Sequence, residues 1–134
     1  MGAGGVSLGE FLKEAASDRA PWNCSTLPAD WCLALGHPDF AAEWREITDD
    51  AECEKITAES GGLIVLWERG IGDALPAVSP TTADALKAGD IAVIAICGNE
   101  AGAIWTDQRW AIKAARGLHF LPPENLHIAK VWRP

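Results

Sequence analysis

The chain has 134 residues, with 11 basic and 19 acidic side chains and a formal net charge of −8. Its length suits one domain with a single core, and an apolar content of 49% predicts a folded globular protein. The acidic excess argues against nonspecific nucleic-acid binding, which needs a basic surface to displace counterions, and against docking on anionic membranes.

The N-terminal stretch MGAGGVSLGE has neither a basic n-region nor an apolar h-region, so no signal peptide is predicted. No segment approaches the roughly 18 to 20 apolar residues that span a bilayer, and no membrane insertion is expected. Without a secretion signal, the four cysteines are expected to be reduced. They show no CxxC spacing, so neither a metal site nor a cofactor is predicted.

The first predicted element is a helix that follows a flexible tail at residues 1–6. Ser7 and Glu10 have the spacing of a capping box, in which each side chain accepts a hydrogen bond from the other residue's backbone amide. This pattern predicts a helix that runs to about Ser17.

The second predicted helix depends on Pro28, because proline is tolerated only in the first turn, where backbone donors have no partner. Ser25 as the N-cap places Pro28 at the third helical position, and Gly36 is a natural terminator. Apolar side chains then recur at helical spacing as Leu27, Trp31 and Leu35. Cys24 therefore lies immediately before this helix.

Three further helical segments are predicted before residue 74. HPDFAAEWRE is interpreted as a short helix with Phe40 and Trp44 inward, and TDDAECEKITAES as a helix that Gly61 and Gly62 end. LIVLWERGIG is interpreted as one more helix. A polar, proline-containing connector follows at residues 75–88.

Beyond the connector the apolar period changes to that of strands. Asp90, after Gly89, is predicted to fix the turn into the first of them. Strands are predicted at 90–97, 101–106, 109–114 and 118–121, and a helical turn in PPENL precedes a last strand through Val131 and Trp132. The chain is thus predicted to be one α+β domain, with a helical half at 7–73, a connector at 74–88 and a sheet half at 89–134.

Cys24 is the first residue to consider for chemistry. A thiol beside the free amides of a helix N-terminus is favoured as the thiolate, which a histidine from the sheet would activate as a nucleophile. Most free cysteines are instead small buried apolar residues, and position alone leaves both interpretations of Cys24 open. The other three cysteines lie inside predicted elements and are predicted core residues: Cys32, Cys53 and Cys97.

The three histidines have no recognisable catalytic context. His37 in GHPD is predicted to serve a loop or a helix cap, and His127 near the C-terminal end is peripheral. His119 in GLHFL is the candidate base, because its short strand leaves it facing either a cleft or solvent.

The order of several short motifs resembles a known family. A helix comes first, then Trp-Asn-Cys at 22–24, ADW, GHPD, AGDIAV and a terminal AKVWRP. Over residues 8–134 this order and spacing resembles uncharacterised proteins of phages, prophages and gene-transfer-agent-like clusters, which are related to NlpC-type cell-wall cysteine peptidases. The resemblance implies a papain-like fold with N-terminal helices packed on a C-terminal antiparallel sheet of about five strands.

The resemblance also implies which residues would form a site. In NlpC-type peptidases the nucleophilic cysteine starts the central helix, where Cys24 stands, and a Gly-Asp pair opens the first core strand, as at residues 89–90. Their catalytic histidine normally opens the next strand, where this chain has Glu100. A third polar residue is expected near Ile112 or Lys113, where no His, Asn or Gln occurs.

Glu100 is a poor replacement for the histidine. A carboxyl group has an ordinary pKa of about 4.3 and a thiol one of about 8.5, so a carboxylate is a weak base for a thiol and repels the thiolate. Catalysis would then require His119 to reach Cys24 from a neighbouring strand. The resemblance therefore implies the fold more strongly than the activity.

Three functions remain open from the sequence. The first is a phage or prophage tail-associated accessory or assembly protein with a degenerate active site, made in the bacterial cytoplasm and then part of a phage-like particle tail. The second is an active cysteine peptidase or amidase that cuts peptidoglycan during DNA delivery, with Cys24 as nucleophile. The third is a module that binds a peptide or small molecule in the cleft that corresponds to the substrate cleft of the peptidases. The expected partners are tail or virion proteins, with peptidoglycan as a further candidate.

Overall fold

The computed structural model describes residues 7–17, 26–42, 50–78, 85–96, 99–114 and 117–134. Helices precede strands in the described part of the chain, which confirms the α+β class. The helices are α1 (Leu8–Ser17), α2 (Thr26–Ala34), α3 (Asp50–Ser60) and α4 (Leu63–Ile71). The strands are β1 (Ala77–Val78), β2 (Ile91–Ile96), β3 (Asn99–Trp105), β4 (Trp110–Ala114), β5 (Gly117–Leu121) and β6 (His127–Trp132).

The helix boundaries follow from local hydrogen bonds. The Ser7 hydroxyl accepts a hydrogen bond from the Glu10 amide at 3.2 Å, as the predicted cap of α1 requires. At the end of α2, Gly36 adopts a φ of +91°, and the His37 amide donates to the Cys32 carbonyl at 2.9 Å. This is a Schellman motif, which satisfies carbonyls left over at a helix end and needs a residue that tolerates positive φ.

Two regions differ from their predicted structures. Residues 40–42 form a turn rather than the predicted helix, and residues 43–46 of that prediction lie outside the described residues. The Asp39 carboxylate accepts the Ala41 amide at 3.1 Å, which holds the turn. Phe40 is nevertheless buried, as predicted, whereas Trp44 lies outside the described residues. The connector contains β1, which pairs with β6, so the sheet has six strands instead of about five.

The sheet is antiparallel, with the strand order β1-β6-β2-β3-β4-β5, and its central strand β2 is buried on both faces. On β2, Ile91 and Val93 face the helices, whereas Ala92 and Ile94 face the other side. Burial on both faces accounts for the continuous apolar run in β2, where a half-exposed strand would alternate. The helix-side core joins side chains of α1, α2 and α4 to one face: Ile91, Val93, Ile104, Ala111 and Trp132. The far-side core lies opposite: Leu86, Ala92, Ile94, Ala103, Trp105, Trp110 and Val131.

The entry into β2 is held by two side chains distant in sequence. The Trp31 indole on α2 donates to the Gly89 carbonyl at 2.9 Å, and a Cβ on Gly89, whose φ is +99°, would lie 3.4 Å from that ring. Asp90 is only 1% exposed; it accepts the Lys87 amide and two bonds from Arg133, all at 2.8 Å. These bonds to Asp90 raise the pKa of Arg133. The predicted turn-fixing role of Asp90 is confirmed, and the same carboxylate also fastens the C-terminal end of the chain.

Candidate functional site

Glu100 lies on the face of the sheet that the helices cover. It pairs with Ala95 of β2, and side chains on one strand alternate, so Glu100 shares its face with Ile104 of the helix-side core. Its carboxylate oxygen Oε1 accepts a hydrogen bond from the Leu63 amide at 3.3 Å. Leu63 is the first residue of α4, so Glu100 satisfies a donor that the helix itself leaves unpaired.

The sequence before α4 explains why this cap comes from a distant strand. Gly62 occupies the N-cap position and has no side chain that could accept from the first turn. A carboxylate at this end of a helix also interacts favourably with the helix dipole. The role of Glu100 as a cap for α4 was missed by the sequence analysis; the signal available was an N-cap glycine without an acceptor nearby in sequence.

His119 lies on the other face of the sheet. It stands opposite Ile112 on β4, which borders the far-side core, and its side chain is exposed. Because directly paired residues of an antiparallel sheet project to the same side, His119 and Glu100 are on opposite faces. The structure therefore does not bring these two predicted site residues together.

Cys24 lies outside the described residues, so its role as nucleophile or core residue stays a prediction. The helix that follows it does begin as predicted, at Thr26, with Pro28 at the third helical position. Residues Thr26, Leu27 and Pro28 are buried, and α2 packs against β3 on the face that carries Glu100. The start of α2 and Glu100 thus belong to the same side of the molecule.

Cys32 is confirmed as a core residue. It is fully buried on α2, and burial, with a smaller contribution from the negative charge of Asp39, raises its pKa to about 12. A thiol with so high a pKa is protonated at neutral pH and is a poor nucleophile. Cys97 and the side chain of Cys53 lie outside the described part of the structure.

The other two histidines lie away from these residues. His37 lies just beyond α2, where its backbone amide donates to the C-terminal motif of that helix, and His127 is an exposed residue at the start of β6. Among the residues that the structure describes, no group of three or more His, Cys, Asp or Glu side chains is placed to hold a metal ion. Within the same residues, no helix has the length and apolar character needed to cross a membrane.

Removal of the charge from Glu100 provides a test of its role as a cap. In a Glu100→Gln variant an oxygen acceptor remains but its interaction with the α4 dipole is lost, so we expect the free energy of unfolding to fall by about 0.3 to 1 kcal/mol. The matched change Glu59→Gln removes the same charge from the last turn of α3, where it is unfavourable, and should leave stability unchanged or raised. Urea unfolding followed by circular dichroism measures both variants; equal losses would refute the assignment.

Comparison with known proteins yields one family. A family model described as a domain of unknown function, DUF6950, matches residues 6–134. No curated protein matches the chain, and no solved structure does.

Proposed function

We propose that this chain, which belongs to the DUF6950 family, is a phage or prophage tail-associated accessory or assembly protein with a papain-like fold and a degenerate active site. The observation that carries the proposal is the hydrogen bond that Glu100 accepts from the Leu63 amide. The residue that stands in the place of a catalytic histidine holds the N-terminus of α4. A carboxylate that accepts from a backbone amide has a structural role there, which supports the proposal that the position no longer supplies a general base for Cys24.

Two features of the fold support the papain-like arrangement. The helix that follows Cys24 packs on one face of an antiparallel sheet, against β3. The first long strand of that sheet follows the Gly89–Asp90 turn, in the order that the peptidases would have. Both features agree with the resemblance in motif order, and they favour a shared architecture over a coincidence of short motifs.

The position of His119 also supports a degenerate site, because His119 was the candidate that could have replaced the missing catalytic histidine. The helix that follows Cys24 in sequence packs on one side of the sheet, whereas His119 projects from the opposite side of β5. The acidic surface implied by a net charge of −8 also fits a protein that associates with other proteins better than one that binds nucleic acid.

The second candidate function is a cysteine peptidase or amidase acting on peptidoglycan. One observation favours it: α2 begins at Thr26, so the N-terminal end of a helix, where backbone amides have no acceptor within the helix itself, lies next to Cys24 in sequence. Such amides and the helix dipole stabilise a thiolate. The two functions differ in the chemical state that they require of a single sulfur atom, and this difference can be measured.

The pH dependence of Cys24 alkylation separates the two functions. We expect Cys24 to react with iodoacetamide as an ordinary thiol does, with a midpoint at a pH of about 8.5, because no base activates it. Peptide mapping after each pulse resolves the cysteines individually. Cys32 is the internal control, since its pKa of about 12 should keep it unreactive while the chain is folded. Muropeptides incubated with the protein should stay intact.

The matched variant is Cys24→Ala. A degenerate site predicts that this variant folds, joins the particle and supports infection or gene transfer as the parent chain does. Alkylation of Cys24 at pH 6 at a rate above that of a free thiol, together with muropeptide cleavage that Cys24→Ala abolishes, would establish the peptidase instead. Loss of infectivity by a normally assembled Cys24→Ala particle would also contradict the proposal.

A further inference from the structure

Two buried indole groups in the far-side core have no hydrogen-bond acceptor within the described residues. They belong to Trp105 at the end of β3 and Trp110 at the start of β4, which are directly paired across the hairpin. Trp110 is fully buried and Trp105 is 3% exposed. The indole nitrogen is a donor only, and a buried donor without an acceptor costs free energy. Because buried polar groups of folded proteins are nearly always satisfied, two adjacent exceptions point to a bound acceptor.

The surroundings of the two rings explain why the sheet does not supply this acceptor. Backbone carbonyls of an antiparallel sheet point towards the neighbouring strands, whereas side chains stand roughly perpendicular to the sheet. The two ring centroids lie 5.1 Å apart and the rings are tilted by 56°, but an aromatic face is a much weaker acceptor than an oxygen atom. The other buried members of this core are apolar: Leu86, Ala92, Ile94, Ala103 and Val131.

One buried carboxylate, that of Asp90, borders the pair. The Trp105 amide donates to the Asp90 carbonyl and the Trp105 carbonyl accepts from the Gly89 amide, both at 2.8 Å, so Trp105 stands opposite this turn. Ile91 faces the helices, and alternation along the strand therefore directs Asp90 to the far side, as it does Trp105. Oδ2 of Asp90 accepts two hydrogen bonds and Oδ1 accepts one. A carboxylate oxygen can accept two, so Oδ1 has capacity for a further donor.

We propose that the far-side core binds a hydroxyl group, of water or of a small neutral molecule, where Trp105 and Trp110 meet the Asp90 carboxylate. The hydroxyl oxygen accepts from the indoles, and its hydrogen is donated to Oδ1 of Asp90. Only a group that both accepts and donates fits these neighbours. The carboxylate repels an anion, an ammonium group cannot accept from an indole, and a carbonyl oxygen cannot donate to Asp90.

The bound hydroxyl joins two parts of the chain that are distant in sequence. The ion pair between Asp90 and Arg133 holds the C-terminal end, and the two indoles belong to the β3–β4 hairpin. With two indole donors and one carboxylate acceptor, the hydroxyl has three partners, the usual number for a buried water molecule. The site is independent of Cys24 and of the function proposed for the chain.

The indole N–H resonances in NMR spectra of the ¹⁵N-labelled full chain test the site. Trp31 is the internal reference, because its indole donates to the Gly89 carbonyl at 2.9 Å. We expect the Trp105 and Trp110 indole protons to resonate downfield, in the range of Trp31, and to show cross-peaks to water. Cross-peaks to a hydroxyl-bearing molecule, with its mass released on denaturation, would support the site and identify the second source. Trp105→Phe and Trp110→Phe each remove one indole signal and so assign it.

Three results on the parent chain would overturn the proposal. These are resonances at the position of an unbonded indole, an upfield shift caused by the ring of the other tryptophan, and cross-peaks that assign the acceptor to another group of the chain. Added formate should leave both resonances unchanged, because Asp90 repels an anion. A saturable shift with formate would overturn the hydroxyl assignment.

Hydrogen exchange tests whether one ligand joins the two indoles. In Trp110→Phe the hydroxyl loses one of its two donors, so exchange of the Trp105 indole should accelerate at least about fivefold relative to that of Trp31 in the same chain. Trp67→Phe makes the same substitution in the helix-side core and should leave this ratio unchanged. Equal changes of the ratio in both variants, or no change in either, would refute a shared ligand.

Discussion

Replacement of Trp67 by alanine is expected to lower the free energy of unfolding by about 3 to 5 kcal/mol, which is enough to unfold much of a domain of this size. Trp67 on α4 is fully buried. Its ring lies 4.7 Å from that of Phe40 and 5.6 Å from that of Trp132, measured between centroids. The indole therefore joins α4, the turn after α2 and the last strand, and its removal leaves a cavity that none of the three can fill alone.

Two further substitutions test whether the loss of stability in Trp67→Ala comes from lost packing. Trp67→Phe keeps an aromatic ring in contact with its neighbours and should cost clearly less than Trp67→Ala. Leu33→Ala removes an apolar side chain that is 44% exposed, and should change stability by about 0.5 kcal/mol or less. Chemical unfolding followed by far-UV circular dichroism avoids the loss of tryptophan fluorescence. A Trp67→Ala variant as stable as Leu33→Ala would contradict the central place of this ring.

The second large effect is expected from Arg133→Met. This substitution leaves the buried Asp90 carboxylate with the Lys87 amide but without the guanidinium that donates two hydrogen bonds to it. A buried charge without its partner is strongly destabilising, whereas replacement of both partners by groups of similar shape is much better tolerated. The guanidinium also donates to the Ala85 carbonyl at 3.1 Å, so its loss releases the segment before β2 as well.

A double-substitution cycle separates the ion pair from the loss of side-chain volume. Asp90→Asn combined with Arg133→Met removes the unpaired charge, and we expect this double variant to be more stable than Arg133→Met alone. Urea midpoints of the parent, both single variants and the double variant provide the coupling energy. Additive losses of stability would show that Asp90 and Arg133 contribute independently, which would contradict the coupling expected from their two hydrogen bonds.

Much of the secondary structure could be predicted because its signals are local. Ser7 caps α1 three residues ahead of Glu10, and Pro28 restricts the start of α2 to Thr26. The glycines at 61 and 62 have φ values of +94° and +115°, which favour glycine, and they end α3 as predicted. In each case a residue determines the backbone within one turn of itself, so no knowledge of the tertiary structure is needed.

Where tertiary contacts decide the conformation, the sequence was a poorer guide. β1 has two residues, too few for a recognisable period, and it is a strand only because Ala77 pairs with Trp132. The last strand lies between the first two, in the order β1-β6-β2, an arrangement that no local pattern encodes.

In the candidate site, too, some features follow from local sequence and others only from tertiary contacts. By itself the sequence determined the helix that follows Cys24, the Gly-Asp turn into β2 and the presence of Glu100 on the next strand, because propensity, capping and alternation act over a few residues. Only the tertiary structure decided that Glu100 caps a helix that begins 37 residues earlier, and that His119 projects from the opposite face of the sheet. Those facts depend on which strands are neighbours and which face the helices cover. Burial of apolar surface across the whole domain determines both, and no short stretch of sequence contains that information.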